Sequence, residues 1–124
     1  MGRLTKLFDT SLLAGPTEDR TPRLDGDCAV SVITVGELHA GVLLAAEDAT
    51  QASRLRRLAA VLDIATVLDV DRAVTARYGE LRAAAGRGPS NDLWIAATAL
   101  AHDLELVTGD TGQAAIPGVR VQLI

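Results

Sequence analysis

Short apolar runs alternate along the chain with longer segments in which apolar residues recur every three or four positions. The short runs predict strands, and the longer periodic segments predict helices. The predicted strands cover approximately residues 3–8, 28–33, 65–68, 104–108 and 119–124. The predicted helices cover approximately residues 35–47, 51–62, 72–85 and 92–101, with one further helical turn at 12–14.

The order of these elements predicts the fold class. One strand is followed by two strand–helix–helix units and then by two more strands, an alternation that is typical of an α/β fold. We therefore expect a three-layer α/β/α architecture with a mostly parallel central sheet of four to five strands. A chain of 124 residues has the size of one domain, so we expect a single domain over residues 1–124.

The last predicted helix differs from the others in composition. It is apolar on almost every side, which predicts a helix buried in the core. Asp92 nevertheless stands at its start, although aspartate is rarely buried without a partner or a metal ion. Ala96 lies one helical turn further along, and we interpret this small residue as keeping the space beside the carboxylate clear. We therefore expect Ala96→Leu to impair activity more than stability.

Composition and charge narrow the classes of function. The net charge of −4 argues against nucleic-acid binding through an overall basic surface, but it permits a local basic patch or a basic partner. Cys28 is the only cysteine, so no internal disulfide is possible and we expect a cytoplasmic location. No apolar run reaches the roughly 18 residues of a membrane span and no signal-peptide pattern is present, so we expect no membrane partner.

Four acidic residues stand beside the predicted ends of strands or at the start of a helix: Asp9, Glu37, Asp92 and Asp110. Asp9 directly follows the first strand, and Asp110 lies two residues beyond the fourth. Because ligands bind outside the carboxyl ends of the strands in open α/β sheets, we expect the four carboxylates to converge there. Two local roles stay open: Asp9 could cap the turn that follows it, and Thr34 and Glu37 have the spacing of a helix capping box.

Converging carboxylates need a compensating cation, because each like-charge pair costs roughly 4 kcal/mol at about 4 Å and an effective dielectric constant near 20. Oxygen ligands without cysteines or paired histidines favour Mg²⁺ or Mn²⁺ over zinc. One or two such ions among carboxylates are suited to phosphodiester hydrolysis. The polar neighbours that could support the site or contact a phosphate are Thr10, Ser11, Asn91 and Thr108. We interpret His39 and His102 as ordinary surface or core histidines.

Two further features lie near Glu37. Gly41 follows it by one helical turn, and a glycine inside a helix costs about 1 kcal/mol relative to alanine. We therefore expect either another helix or a ligand to approach closely at Gly41. Arg54, Arg56 and Arg57 lie together on the next helix, and we interpret them as a solvated face.

Four segments resemble the motifs of the PIN-domain family, and in particular those of the VapC-type toxins of bacterial toxin–antitoxin pairs. They are FDTSLL at 8–13, SVITVGELHAG at 31–41, NDLWIAATA at 91–99 and LVTGD at 106–110. The resemblance implies a PIN-like fold for this three-layer α/β/α architecture. It also implies a Mg²⁺- or Mn²⁺-dependent endoribonuclease in which Asp9, Glu37, Asp92 and Asp110 are the catalytic and metal-binding residues. It also implies a homodimer, an RNA substrate such as tRNA or rRNA, and a VapB-type antitoxin whose tail blocks the site, often with an arginine.

The chain departs from the family pattern in two places. The segment 15–27 is short and Pro-rich, so we expect the helices that are usual there to be truncated. The segment 112–116, GQAAI, lacks the aromatic residue that is common in the family after the fourth acidic position. Asp110 is therefore the least secure of the four predicted ligands, and contact through a water molecule is an alternative for it.

Two rival interpretations stay open. The first is a catalytically silent PIN-fold module that binds RNA or protein, although the presence of all four acidic residues argues against it. The second is a response-regulator receiver domain, which shares the length, the parallel α/β architecture and an acidic Mg²⁺ pocket. A receiver domain needs a lysine late in the chain to contact the phosphoryl group, and the only lysine here is Lys6.

Overall fold

Five parallel strands form the centre of the molecule. The computed structural model describes residues 3–14, 24–86 and 88–124. The strands are β1 (Lys6–Phe8), β2 (Cys28–Ser31), β3 (Thr66–Leu68), β4 (Glu105–Thr108) and β5 (Val121–Leu123). They pair in the order β3-β2-β1-β4-β5, and every pair is parallel. The predicted α/β class with four to five strands is confirmed.

Helices connect the strands. They are α1 (Val32–Leu44), α2 (Asp48–Ile64), α3 (Arg72–Ala85), α4 (Ser90–Ala101) and the short α5 (Thr111–Ala114), and a 3-10 turn covers Thr10–Leu12. The segment directly after β4, for which the sequence analysis predicts no helix, thus forms one helical turn. Most of the Pro-rich segment, residues 15–23, lies outside the described residues, and so does its predicted truncation.

Three helix starts differ from the predictions. The Ser31 hydroxyl accepts a hydrogen bond from the backbone N–H of Ile33 at 3.0 Å, so Ser31 and not Thr34 caps α1, and the helix begins at Val32. Helix α2 begins at Asp48 rather than near Gln51. Helix α4 begins at Ser90 with Pro89 in the cap position. Several residue types suited to capping stand next to one another at such points, so local composition alone does not select among them.

The core has two parts, one on each face of the sheet. Because successive residues of a strand point to opposite faces, Leu7 packs with α3 and α4, whereas its neighbour Phe8 packs with α1 and α2. The same alternation separates Leu106 from Val107 in β4. The result is the predicted three layers, with helices on both sides of the strands.

Helix α4 is the buried helix that its composition predicts, and a run from Ile95 to Ala99 within it is fully buried. Ala96 is 0 % exposed and belongs to the same cluster as Leu7 and Leu106. It therefore packs in the core rather than beside the carboxylates. The interpretation of Ala96 is wrong, and a leucine there is expected to overpack the core and cost about 1–3 kcal/mol of stability.

The strand order rejects the receiver-domain alternative. In receiver domains the order is 2-1-3-4-5, whereas here β1 lies between β2 and β4 and β3 stands at the edge. The carboxyl ends of β1, β2 and β4 lie side by side. Phe8 of β1 pairs with Val107 of β4, and Leu7 pairs with Ala29, two residues before the end of β2. Among the helices of the described residues, none is both long enough and apolar enough to cross a membrane.

Candidate acidic site

Asp9 follows directly after β1 and is almost completely buried, with 3 % of its surface exposed. Its Oδ2 accepts hydrogen bonds from the Ser11 hydroxyl and the Thr108 hydroxyl, both at 2.8 Å. Asp9 stands at the cap position of the 3-10 turn, but its side chain makes no capping hydrogen bond. The capping alternative for Asp9 is therefore wrong, and the two hydroxyls orient its carboxylate.

The hydroxyls that hold Asp9 are themselves oriented by the loop after β4. The backbone N–H of Gly109 donates to Ser11 Oγ at 3.0 Å, and the N–H of Asp110 donates to Thr108 Oγ1 at 3.0 Å. Each hydroxyl thus accepts from the backbone and donates to the carboxylate, an arrangement in which successive hydrogen bonds polarise one another. Asp9 is in this way connected to the segment that carries Asp110.

Glu37 is half-buried in the second turn of α1 and turns toward β1. The Thr10 hydroxyl donates to Glu37 Oε1 at 2.8 Å, and the Thr34 hydroxyl lies 2.9 Å from the same Thr10 oxygen. Thr34 lies inside the helix, so the capping-box alternative for Thr34 and Glu37 is wrong. The carboxylate is held by a residue 27 positions earlier in the chain.

Asp110 is exposed at the end of β4, where it caps α5. Its Oδ1 accepts a hydrogen bond from the backbone N–H of Gly112 at 2.8 Å. A Cβ at position 112 would approach Asp110 Oδ1 to 3.2 Å, so glycine gives the carboxylate room to make this contact. The second oxygen of Asp110 accepts no hydrogen bond from the described residues.

Asp92 is half-buried in the first turn of α4, and its environment is unlike that of the other three. Its carboxylate has no hydrogen-bond or ion-pair partner within residues 3–14, 24–86 and 88–124. Burial raises the pKa of Asp92 above its usual range, and the negative charges of Asp9, Asp110 and Glu37 raise it further. The other three carboxylates are therefore near enough to Asp92 for their charges to act on it.

The oxygen donors have the chemistry that a hard divalent cation requires. Carboxylates are the ligands that Mg²⁺ and Mn²⁺ prefer, and a cation would relieve the repulsion that raises the pKa of Asp92. The described side chains do not form a ready-made coordination cage, since no three Asp, Glu, His or Cys residues among them lie close enough to hold a metal ion together. The fit to a cation thus rests on the kind and charge of the donors.

The remaining candidate residues either contact a carboxylate of the site or are exposed to solvent. Thr10, Ser11 and Thr108 each bind a carboxylate of the site, as described above. Asn91 is exposed at the start of α4, and its side chain has no hydrogen bond to the described residues. His39 and His102 are exposed, in agreement with their interpretation as surface residues.

Sequence reasoning missed one residue that contacts the site. Gln113 is completely buried in α5, and its Nε2 donates to the backbone carbonyl oxygen of Asp92 at 2.9 Å. The only signal in the sequence was that the segment GQAAI lacks the aromatic residue that is common after the fourth acidic position. The composition of that segment did not indicate which of its five residues points inward. The contact spans 21 positions and depends on how α5 packs against α4.

A cavity of about 540 Å³ opens beside Glu37, between α1 and α2. Two arginines of α2 line it: Arg54 donates to the carbonyl oxygen of Gly41 at 2.7 Å, and Arg57 donates to that of Leu13 at 3.2 Å. Arg54 and Arg57 therefore contact backbone carbonyl oxygens and are not simply part of a solvated face, as the sequence analysis interprets them. Gly41 also lines the cavity, and a Cβ there would meet nothing within 4 Å, so no helix of the described residues approaches it closely. The ligand alternative for Gly41 stays a prediction.

A family model described as the PIN domain matches residues 6–119. The chain belongs to the PIN-domain family. It is 41 % identical to Ribonuclease VapC4 of Mycobacterium tuberculosis over 93 % of both chains, and 42 % identical to Ribonuclease VapC5 of that organism over 73 % of this chain and 69 % of the relative. The resemblance to VapC-type PIN proteins that the four motifs predict is confirmed.

The fold of this PIN domain also matches solved structures. A VapBC-5 toxin–antitoxin structure from Mycobacterium tuberculosis shares 36 % identity with it, at a TM-score of 0.77 over 97 % of both chains. The FitAcB structure from Neisseria gonorrhoeae shares 30 % identity, at a TM-score of 0.79 over 94 % of this chain and 96 % of that one. These matches extend over nearly the whole length and confirm the predicted PIN-like architecture.

Proposed function

We propose that the chain is a metal-dependent endoribonuclease and that Asp9, Glu37, Asp92 and Asp110 form its catalytic, metal-binding site. The observation that carries this proposal is the placement of these carboxylates at the carboxyl ends of β1 and β4 and near the starts of α1 and α4, where the hydroxyls of Thr10, Ser11 and Thr108 hold two of them. The pKa of Asp92, which burial and the charges of the other three raise, agrees with it. Such a cluster is unfavourable without a cation and useful with one. The relatives named as ribonucleases support RNA as the substrate.

Each residue of the site has a proposed part in the reaction. The four carboxylates would hold Mg²⁺, with Mn²⁺ as a substitute, and the bound metal would supply an activated water molecule and stabilise charge on the phosphate oxygens. Ser11 and Thr108 hold the Asp9 carboxylate in one orientation, and Thr10 does the same for Glu37. Asn91 is exposed beside Asp92, where its amide is available to a phosphate oxygen.

The proposal is tested by incubating purified protein with total cellular RNA in the presence of Mg²⁺, Mn²⁺ or EDTA. We expect cleavage with either metal, none with EDTA, and none with Asp9→Asn. Asp63→Asn is the matched control, because Asp63 is an exposed aspartate on α2. Cleavage that persists in EDTA and in Asp9→Asn would contradict the metal site. Binding of RNA without any cleavage would favour the catalytically silent module instead.

We further propose that the substrate is a structured RNA such as tRNA or rRNA that is cut at few positions in the cytoplasm. The acidic site is small and lies at one edge of the sheet, so an RNA whose fold presents one phosphodiester bond is better suited than a uniform strand. Sequencing of RNA 5′ ends after induced expression of wild-type protein and of Asp9→Asn tests this. A few strong ends are expected, and many weak ends throughout messenger RNA would contradict it.

We propose that a VapB-type antitoxin neutralises the protein and that a segment of it occupies the cavity beside Glu37. The cavity combines apolar walls from Leu13 and Leu38 with direct access to an acidic residue. An antitoxin segment with apolar side chains and a terminal arginine would complement both, and the net charge of −4 favours a basic partner. The solved toxin–antitoxin structures with this fold support the proposal.

A pair of glycine variants tests the antitoxin's place. Gly41 and Gly79 both lie in helices, and a Cβ at either meets nothing within 4 Å, but only Gly41 lines the cavity. Leucine should stabilise either helix by up to about 1 kcal/mol. We expect Gly41→Leu to weaken binding of a basic-tailed protein encoded next to this chain, and Gly79→Leu to leave binding unchanged. Equal binding by both variants would place the antitoxin elsewhere.

We propose a homodimer as the assembly, following the resemblance to VapC-type proteins. Light scattering of the purified chain at several concentrations tests it. A mass of twice 12.9 kDa is expected, and a monomer at every concentration would contradict the dimer.

A further inference from the structure

Gln113 is an amide side chain in a place that would suit an apolar one. It is 0 % exposed and lies in α5, three residues after Asp110. Its Nε2 is satisfied by the carbonyl oxygen of Asp92 at 2.9 Å. Its Oε1 is buried and has no hydrogen-bond partner among the described residues. A buried acceptor without a partner lowers stability, so the amide is not explained by packing alone.

The one hydrogen bond that the Gln113 amide makes is to the backbone of Asp92, the acidic residue that the described parts of the protein hold least. The Asp92 carboxylate has no protein partner in the described parts of the chain, so its place is determined by the backbone of the first turn of α4. Gln113 binds that backbone at Asp92 itself. Asp110 caps the helix that carries Gln113, so the same short segment holds one acidic residue and contacts the other.

We propose that Gln113 is a positioning residue that sets the distance between Asp92 and Asp110 and thereby the affinity of the acidic site for its metal. The inference rests on the proposed function, because it concerns the same four carboxylates.

Gln113→Met tests the proposal, because methionine has a similar length but no N–H to donate. We expect its melting temperature to be equal to or higher than that of the wild type, since the unpartnered Oε1 is removed. We expect Mn²⁺ affinity, measured by electron paramagnetic resonance without RNA, to fall about 10- to 100-fold, the range for residues that orient metal ligands. RNA cleavage should fall through kcat at saturating RNA, with KM for RNA little changed.

A spectroscopic signature separates the inference from the proposed function. The ¹³C shift of the Asp92 carbonyl reports the hydrogen bond directly and needs neither metal nor RNA, and it should move in Gln113→Met. Val61→Ala is the matched control, because Val61 is completely buried in the core on the other face of the sheet. It should lower the melting temperature without altering Mn²⁺ affinity or the Asp92 carbonyl shift.

The outcomes are distinct. An inactive wild type that still binds Mn²⁺ more tightly than Gln113→Met contradicts the ribonuclease proposal and supports the inference about Gln113. An active wild type matched by Gln113→Met in kcat and Mn²⁺ affinity overturns the inference and leaves the ribonuclease proposal standing. A parallel loss of melting temperature and activity in Gln113→Met, with an unmoved Asp92 carbonyl shift, also overturns it, because the residue would then be structural.

Discussion

Asp9 and Asp92 belong to the same acidic site but are held in opposite ways. The Asp9 carboxylate is buried and accepts two hydroxyl hydrogen bonds, so its charge is solvated by the protein. The Asp92 carboxylate is half-buried and has no partner in the described residues, and burial together with the other carboxylates raises its pKa. One carboxylate is held by hydrogen bonds within the protein, and the other is the one that would gain most from the proposed cation.

The difference follows from where each residue stands. Asp9 directly follows the central strand β1, between β2 and β4, so the end of β4 brings the Thr108 hydroxyl to it and the turn that follows Asp9 brings that of Ser11. Asp92 begins a helix that packs on one face of the sheet, and its side chain reaches the site from the side. We call Asp9 with its two hydroxyl donors the fixed half of the site and Asp92 the adjustable half.

The largest expected effect is on catalysis, and there the two residues should not differ. Asp9→Asn and Asp92→Asn should each lower kcat/KM for RNA cleavage at least about 1000-fold, because each removes a metal ligand, a bound metal supplies several kcal/mol, and each 1.4 kcal/mol is tenfold in rate. A loss below tenfold for Asp92→Asn, with a full loss for Asp9→Asn, would remove Asp92 from the catalytic group.

The next effect is stabilisation by metal. At a Mn²⁺ concentration of 100 times the dissociation constant, the free energy of unfolding of the wild type should rise by about 2.7 kcal/mol. Most of this increase should vanish in Asp92→Asn, since the residue without a protein partner gains most from the cation. Urea titrations with Mn²⁺ and with EDTA measure it, and an undiminished increase in Asp92→Asn would contradict the dependence of Asp92 on a cation.

A smaller effect is expected from the hydroxyls that hold Asp9. Thr108→Val keeps the shape of a completely buried side chain but removes the donor to Asp9 Oδ2, and activity should fall about 10- to 100-fold. Ser11→Ala removes the other donor at an exposed position, where water can replace it, so its loss should be smaller. Steady-state kinetics of both variants measures the ratio. Equal losses would mean that burial of the donor does not matter.

How much of this was predictable depends on the range of each interaction. The strands and the parallel sheet follow from local periodicity. The rule for strand ends predicts which acidic residues should stand at the same edge of the sheet. The hydroxyl contacts of Asp9 and Glu37 could be predicted only as a set of neighbours. Thr108 lies 99 positions from Asp9, and which hydroxyl meets which oxygen is decided by the register between β1 and β4.

The failures have the same origin. Thr34 and Ser31 are both good capping residues. Ser31 caps α1 because β2 ends at that residue and the helix begins directly after it. Ala96 has the right helical spacing from Asp92, but the packing of α4 on the sheet turned it into the core. Gln113 is a polar residue in an otherwise unremarkable turn, and only the packing of α5 against α4 brings its amide to Asp92.

The smallest expected effect is a pH dependence that only Asp92 should produce. In metal-free protein the pKa of Asp92 is raised by folding above the unfolded value near 3.9. The stability that its protonated form contributes is therefore complete below about pH 4 and is lost as the pH rises through the folded pKa. Asp92→Asn cannot ionise and should not show this loss, so its stability relative to the wild type should grow with pH and then level off.

Urea titrations in EDTA between pH 4 and 8 measure the difference, with Asp63→Asn as the exposed control. A constant difference across that range would mean that folding does not raise the pKa of Asp92, and the Asp92 carboxylate would then need no cation to be solvated in the folded protein.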